Sequence, residues 1–172
     1  GLAFFFFFLF TRLLTTDGYG LLSIYTSVIS IFTILLGLNI IGSVSRYFYE
    51  ENNEFEFFLG SNLLFILIFD ILFIIFLYQF KDYISNFFGI SSYLFILSIV
   101  ISFFNVPMKM ILAYFQASKK SKKHASMTIA KKILVLIISL ILIYFLDNNK
   151  YLGKAYAEIL VMSIVFLISI YY

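Results

Sequence analysis

The stretch SSYLFILSIVISFFNVPMKMILAYFQ, residues 91 to 116, decides what kind of protein this is. It is apolar or aromatic at nearly every position and shows no strand-like alternation. As a helix it is long enough to cross a hydrocarbon core about 30 Å thick, which takes about 20 residues. Yet Pro107 and Lys109 sit inside it, where a missing backbone donor and a positive charge are both costly in lipid. The rest of the chain has the same character. Hydrophobic residues make up 63%, aromatics 22% and charged residues only 12%, against roughly 45–50% apolar and 25% charged in soluble domains. The sequence therefore reads as an integral membrane protein. It has no cysteine, which excludes a disulfide framework and thiolate metal ligation.

The apolar runs predict an all-α bundle of six transmembrane helices with the first truncated: about 1–14 (partial), 20–45, 58–80, 91–116, 126–146 and 152–172. The connections TTDGY, RYFYEENNEFE, KDYISNFF, ASKKSKKHA and DNNKY are too short to hold a soluble domain, so residues 1–172 form a single transmembrane lobe. Helices are preferred to a barrel because the runs are continuous and a helix satisfies its own backbone in lipid. Residues 1 to 14 are not a signal peptide, since no cleavage-like segment follows them and another span does. The sequence opens at Gly1 rather than a methionine and stops at Tyr172 within an apolar run, so we read it as a piece of a longer protein.

Lysine and arginine in the loops set orientation. Lys119, Lys120, Lys122 and Lys123 lie between the fourth and fifth expected spans, and Lys131 and Lys132 stand at the foot of the fifth. That end, the 117–125 loop, is cytoplasmic, and by alternation so are Arg46 and the segment preceding Gly1. Arg12, Lys81, Lys150 and Lys154 fall on the opposite side; Glu50, Glu51, Glu54 and Glu56 weigh little in this rule. The lysine run also suits anionic lipid head groups. His124 at its end is a solvated loop residue, because one histidine beside four lysines is a poor metal ligand.

At 100° per residue, Ser91, Ser98, Ser102, Asn105, Lys109 and Gln116 share an arc of roughly 60°. This is one narrow polar stripe on a greasy helix, and it calls for protein or water opposite it. Pro107 beside it predicts a kink or local widening near Asn105. Two accounts of Lys109 follow: it snorkels to the cytoplasmic surface, or it faces a cavity with the rest of the stripe. On the second span Ser23, Thr26, Ser27, Ser30, Thr33 and Gly37 form a broader arc that serves either close packing or cavity lining. Asp70, near the middle of the third span, is a coupling or charge-balancing candidate or a neutral acid in a helix contact. Arg12 and Glu158 lie nearer the outer ends, where Arg12 reaches the interface and Glu158 pairs with Lys154 one turn earlier.

Several chemistries lack their residues. The chain has no glycine-rich phosphate loop, no HExxH, no paired Cys/His set and only one histidine for a nucleophilic triad. Nor is there a sizeable aqueous loop to gather acid, base or metal groups. Polar helix faces suit a transport pathway better than a catalytic site, so no enzyme activity is expected.

Several segments resemble the bacterial polysaccharide transporters, the O-antigen and capsule lipid flippases of the multidrug/oligosaccharidyl-lipid/polysaccharide superfamily. They are Arg12 to Thr15, Asp17 to Gly20, Gly42 to Tyr47, the basic QASKKSKKHASMTIAKKI connection and the YLGKAYAEIL opening of the sixth span. The resemblance implies the N-terminal lobe of a 12- or 14-span alternating-access transporter in the bacterial cytoplasmic (inner) membrane. Its substrate would be an undecaprenyl-diphosphate-linked oligosaccharide for O-antigen, lipopolysaccharide or capsule assembly. It implies no bound cofactor, coupling to an H+ or Na+ gradient, contact with membrane lipids and the polysaccharide assembly machinery, and no nucleic acid. On it, Arg12, Arg46 and Lys109 are candidates for the diphosphate, Ser98, Ser102, Asn105 and Gln116 for sugar hydroxyls, and Asp70 and Glu158 for coupling or charge balance. Two alternatives stay open: a multidrug or cation antiporter of the same superfamily, whose cavity would be acid-dominated, and an integral-membrane glycan polymerase or ligase.

Overall fold

The computed structural model describes residues 2–50, 54–146 and 149–171, and these are helical almost throughout. The helices are α1 (Leu2–Leu13), α2 (Thr16–Leu36), α3 (Ile40–Glu50), α4 (Phe55–Gln79), α5 (Lys81–Phe88), α6 (Ser92–Ala117), α7 (Ser121–Phe145) and α8 (Tyr151–Tyr171). Among the described residues four of them, α2, α4, α6 and α7, are long and apolar enough to cross a membrane. They correspond to the second to fifth expected spans. The 12-residue α1 and the 21-residue α8, where the partial first and the sixth spans were expected, are not among those four. Large apolar side chains stand exposed along α4 and α7, among them Leu64, Ile68, Leu72, Ile137 and Ile141. Such continuous apolar faces are at home against acyl chains. The chain is a multi-pass helical membrane protein.

The structure corrects the expected boundaries in three places. The second span, expected to run to residue 45, ends at Leu36, because Leu38 and Asn39 take left-handed backbone angles (φ 44° and 59°). Asn tolerates this region better than most residues. The chain restarts as α3, which at 11 residues reaches roughly 16 Å and is too short to span. It lays Ile40, Val44 and Phe48, one helix face, against the inner cluster around Leu36, Val106 and Met110. The expected RYFYEENNEFE loop is thus helical through Glu50; Glu51, Asn52 and Asn53, like Asp147 and Asn148 of DNNKY, lie outside the described residues.

The expected KDYISNFF loop is also a helix, α5. It closes at Gly89 (φ 68°), with the Ile90 N–H donating to the Ser85 carbonyl and the Gly89 N–H to the Asn86 carbonyl, both at 3.1 Å. Ser92 Oγ donates to Asp82 Oδ1 at 2.6 Å and ties α5 to the start of α6. The 117–125 loop shrinks to a turn at Ser118–Lys120, since α7 already begins at Ser121; His124 is in its first turns.

α6 is the central helix. It packs against α2, α3 and α8 most extensively and touches α4, α5 and α7 as well. Ser91 caps its N-terminus by accepting the Leu94 N–H (3.2 Å), as Thr15 caps α2 through the Gly18 N–H. The helix continues through Pro107, whose ring is buried. α7 and α8 form an antiparallel hairpin with extensive mutual contact, and Gly153 of α8 lies hard against Ile143 of α7. A Cβ there would lie 2.9 Å from Ile143 Cγ1 and 3.0 Å from its backbone nitrogen.

This generates a paired expectation. Gly153→Ala forces backbone apart and lowers stability by about 1–3 kcal/mol. Gly60→Ala, on α4 with nothing within 4 Å of its added Cβ, raises it by about 0.5–1 kcal/mol. Thermal denaturation in detergent measures both; equal shifts would refute close α7–α8 contact at Gly153.

Candidate functional site

Four helices, α2, α6, α7 and α8, surround a cavity of about 470 Å³. Its polar lining comes from each of them: Thr26 and Ser30, Asn105, Lys131 with Lys132, and Lys154 with Glu158. Ile29, Ile101, Val135 and Met162 complete the wall. Three ammonium groups against one carboxylate give this lining a formal charge of +2.

Depth makes that charge unusual. The Lys131 ammonium reaches Asn105, which stands thirteen residues after Ser92 in the 26-residue α6, at the middle of a helix long enough to cross the hydrocarbon core. Insertion scales put a lysine at that depth at about 2.5–3.5 kcal/mol. The structure offsets the cost with specific partners. Lys131 Nζ donates to Asn105 Oδ1 across the α6–α7 gap at 3.1 Å, and the Glu158 carboxylate lines the same cavity. Glu158 is itself held on both oxygens. The hydroxyl of fully buried Tyr25 donates to Oε2 at 3.2 Å, and Lys154 Nζ lies 3.8 Å from Oε1.

The hydroxyls on α2 contribute acceptors. Thr26 Oγ1 donates to the Leu22 carbonyl (2.6 Å) and Ser30 Oγ to the Thr26 carbonyl (2.9 Å). Each hydroxyl proton is therefore committed to the helix, leaving oxygen lone pairs to accept from a ligand. An anion flanked by hydroxyl groups is the chemistry that ammonium donors and hydroxyl acceptors of this kind can hold.

The sequence-predicted residues separate into three groups. Asn105 and Glu158 line the cavity. Ser98 and Ser102 do not: both are fully buried. Ser98 Oγ donates to the Phe95 carbonyl, and Ser102 Oγ to the Ser98 carbonyl at 2.7 Å and across to the Ile29 carbonyl of α2 at 3.1 Å. They are part of the α2–α6 contact, because a hydroxyl pointed at a neighbouring helix in lipid bonds to that helix's backbone. Lys109 and Gln116 are exposed on the C-terminal half of α6, Arg46 is exposed on α3, and Arg12 is exposed at the end of α1 with its guanidinium 4.2 Å from the Phe8 ring centre. None of these four lines the cavity.

Asp70 sits apart. Ile66 packs with Val106 and Met110, and Leu77 packs with Leu94 and Phe95, so Asp70 lies between them, level with the buried serines. It has no exposed surface, and neither carboxyl oxygen has a hydrogen-bond partner among the described residues.

Sequence reasoning missed Lys131, Lys132 and Lys154 as cavity residues. The signal was available: starting α7 at the first lysines of the basic run, rather than after them, would have moved Lys131 to mid-membrane.

A family model described as polysaccharide biosynthesis protein matches residues 1–172. No curated protein and no solved structure matches the chain.

Two substitutions separate packing from cavity. Ser102→Ala removes one interhelical bond and costs about 0.6 kcal/mol. Asn105→Leu leaves a mid-membrane ammonium without its acceptor and costs about 1–3 kcal/mol. Chemical denaturation in detergent ranks them, and the reverse order would remove the Asn105–Lys131 bond from its assigned importance.

Proposed function

The chain belongs to the polysaccharide biosynthesis protein family, and from that premise we propose that it is the N-terminal lobe of a carrier for lipid-linked oligosaccharides. The ligand is an undecaprenyl-diphosphate-linked repeat unit destined for a surface polysaccharide such as O-antigen or capsule, moved across the bacterial cytoplasmic membrane. The single observation that carries this reading is the cavity of net positive charge at mid-membrane depth. Lys131, Lys132 and Lys154 attract the diphosphate, while Thr26, Ser30 and Asn105 meet sugar hydroxyls. The cycle is alternating access with no chemical step. The turn at Ser118–Lys120 faces the cytoplasm, as the lysine bias requires. Asp70 is the group to which we assign a coupling proton or sodium ion, since an unpartnered buried carboxyl is costly unless it is neutralised.

Glu158 and Asp70 are also what a cation antiporter would use, but Glu158 is outnumbered three to one by ammonium groups in the same cavity.

The test depletes the full-length protein from cells and asks in which leaflet completed repeat units collect. Accumulation on the cytoplasmic face is expected; periplasmic accumulation of unpolymerised units would replace the carrier with an enzyme, and an intact glycan would favour the antiporter. Complementation with Lys131→Gln or Lys154→Gln should reduce export about tenfold or more, the cost of one charge-assisted hydrogen bond. Asp70→Asn should abolish the response of export to the ion gradient while leaving ligand binding in place.

A further inference from the structure

The basic run at the α6–α7 corner is not used by the central cavity, and a second concavity lies beside it. This is a groove of about 340 Å³ on the flank where α6, α7 and α8 diverge. Its walls are almost entirely apolar, with Ile111 and Phe115 from α6, Leu134 and Ile138 from α7, and Val161 and Val165 from α8. Small Ser126 and Ala130, one turn apart on α7, leave the space open. Its polar end is built from Lys123 and Ser126, in the first turns of α7. The Lys123 ammonium stands 6.0 Å from the ring centre of Phe115, which lines the same groove.

Length and charge together identify an occupant. From Lys123 to Leu134 the helix rises roughly 16 Å, close to one leaflet of a hydrocarbon core about 30 Å thick. At the polar end, Lys119, Lys120 and Lys122 adjoin Lys123, so the field there is strongly positive where head-group phosphates lie. A transmembrane helix, about 10–12 Å wide with its side chains, would bring apolar surface to this lysine-rich end, whereas a head-group phosphate brings the opposite charge. We propose that the groove is a binding site for one anionic glycerophospholipid of the adjacent leaflet. Its phosphate rests on Lys123, the Ser126 hydroxyl being committed to the Lys123 carbonyl at 3.0 Å, and one acyl chain runs along Ala130 and Leu134 between α6 and α8. The site is distinct from the cavity that receives the transported ligand, although Lys131 borders both.

The experiment reads bound lipid rather than transport, so its outcome is independent of the carrier assignment. Full-length protein in mild detergent is mixed with equal phosphatidylglycerol and phosphatidylcholine, and retained lipid is counted by native mass spectrometry. Phosphatidylglycerol should be retained at one per chain in preference to phosphatidylcholine. Lys123→Gln should weaken retention about fivefold or more. Ala130→Phe, which fills the groove and leaves Lys123 in place, should abolish it; a monodisperse elution profile for each variant secures the comparison. Lys154→Gln, in the other cavity, should retain lipid as the unmodified protein does. Equal retention of the two lipids, or retention unchanged in both groove variants, overturns the proposal. So does displacement of phosphatidylglycerol by an equimolar isoprenyl diphosphate, which would give the groove to the transported lipid.

Discussion

A helix at the centre of a membrane bundle has no water to satisfy its polar groups, and that constraint organises this molecule around α6. Facing α2, the helix carries Ser98 and Ser102, whose hydroxyls bond to backbone carbonyls of α6 and, through Ser102, of α2. These partners are short and close, so the two helices come together without a gap. Further along, the same stripe carries Asn105, whose amide oxygen is met by the long Lys131 side chain from α7. A lysine stem is a long spacer, and the helices it connects stand apart. The difference in reach between a serine hydroxyl and a lysine ammonium thus accounts for a tight α2–α6 seam and an open α6–α7 side, where both concavities are found.

The charge in the open region raises a second constraint. Three lysines facing one cavity repel each other whenever no ligand is present. Glu158 answers this without a ligand, because its carboxylate is oriented from two directions by Tyr25 and Lys154 and shares the cavity with Lys131. Breaking a buried ion pair by removing one partner is far costlier than never having built it. A resident carboxylate therefore keeps the empty site tolerable while leaving net positive charge for a ligand. Asp70 has no comparable arrangement: it is as buried as any residue in the core, and among the described residues no hydrogen bond reaches it.

Much of the fold was legible in hydropathy, and the places where it was not have physical reasons. Continuous apolar runs identify α2, α4, α6 and α7, because crossing lipid requires about 20 apolar residues and little else. They do not mark a change of direction inside a run. The Gly37–Leu38–Asn39 turn lies within an apolar stretch, and only the Gly and Asn of GLN hint at it. Amphipathic α5 was read as a loop, being too short and too polar to span, and α3 was divided between the second span and the loop after it, although Ile40, Val44 and Phe48 already lie on one helical face. The stripe on α6 was legible as a stripe. Periodicity alone does not say whether a polar face meets a helix or a cavity, and here it meets a helix at Ser98 and Ser102 and a cavity at Asn105. The lysines of α7 were misplaced in depth because they were used to define where the membrane begins.

Lys131 is also what relates the two concavities. It lines the central cavity and the lateral groove, and its bond to Asn105 crosses the gap between α6 and α7 from which both are formed. Their volumes are therefore not independent. A change in the Asn105–Lys131 distance reshapes both, while α8 stays packed against α6 and, at Gly153, against the backbone of Ile143. Packed elements shift between discrete arrangements more readily than they deform. The weak seam for such a shift is the one bridged by a long, solvatable side chain, and the strong seam is the one bridged by Ser102. The polar stripe on α6 in this way divides the bundle into a part that holds and a part that can open.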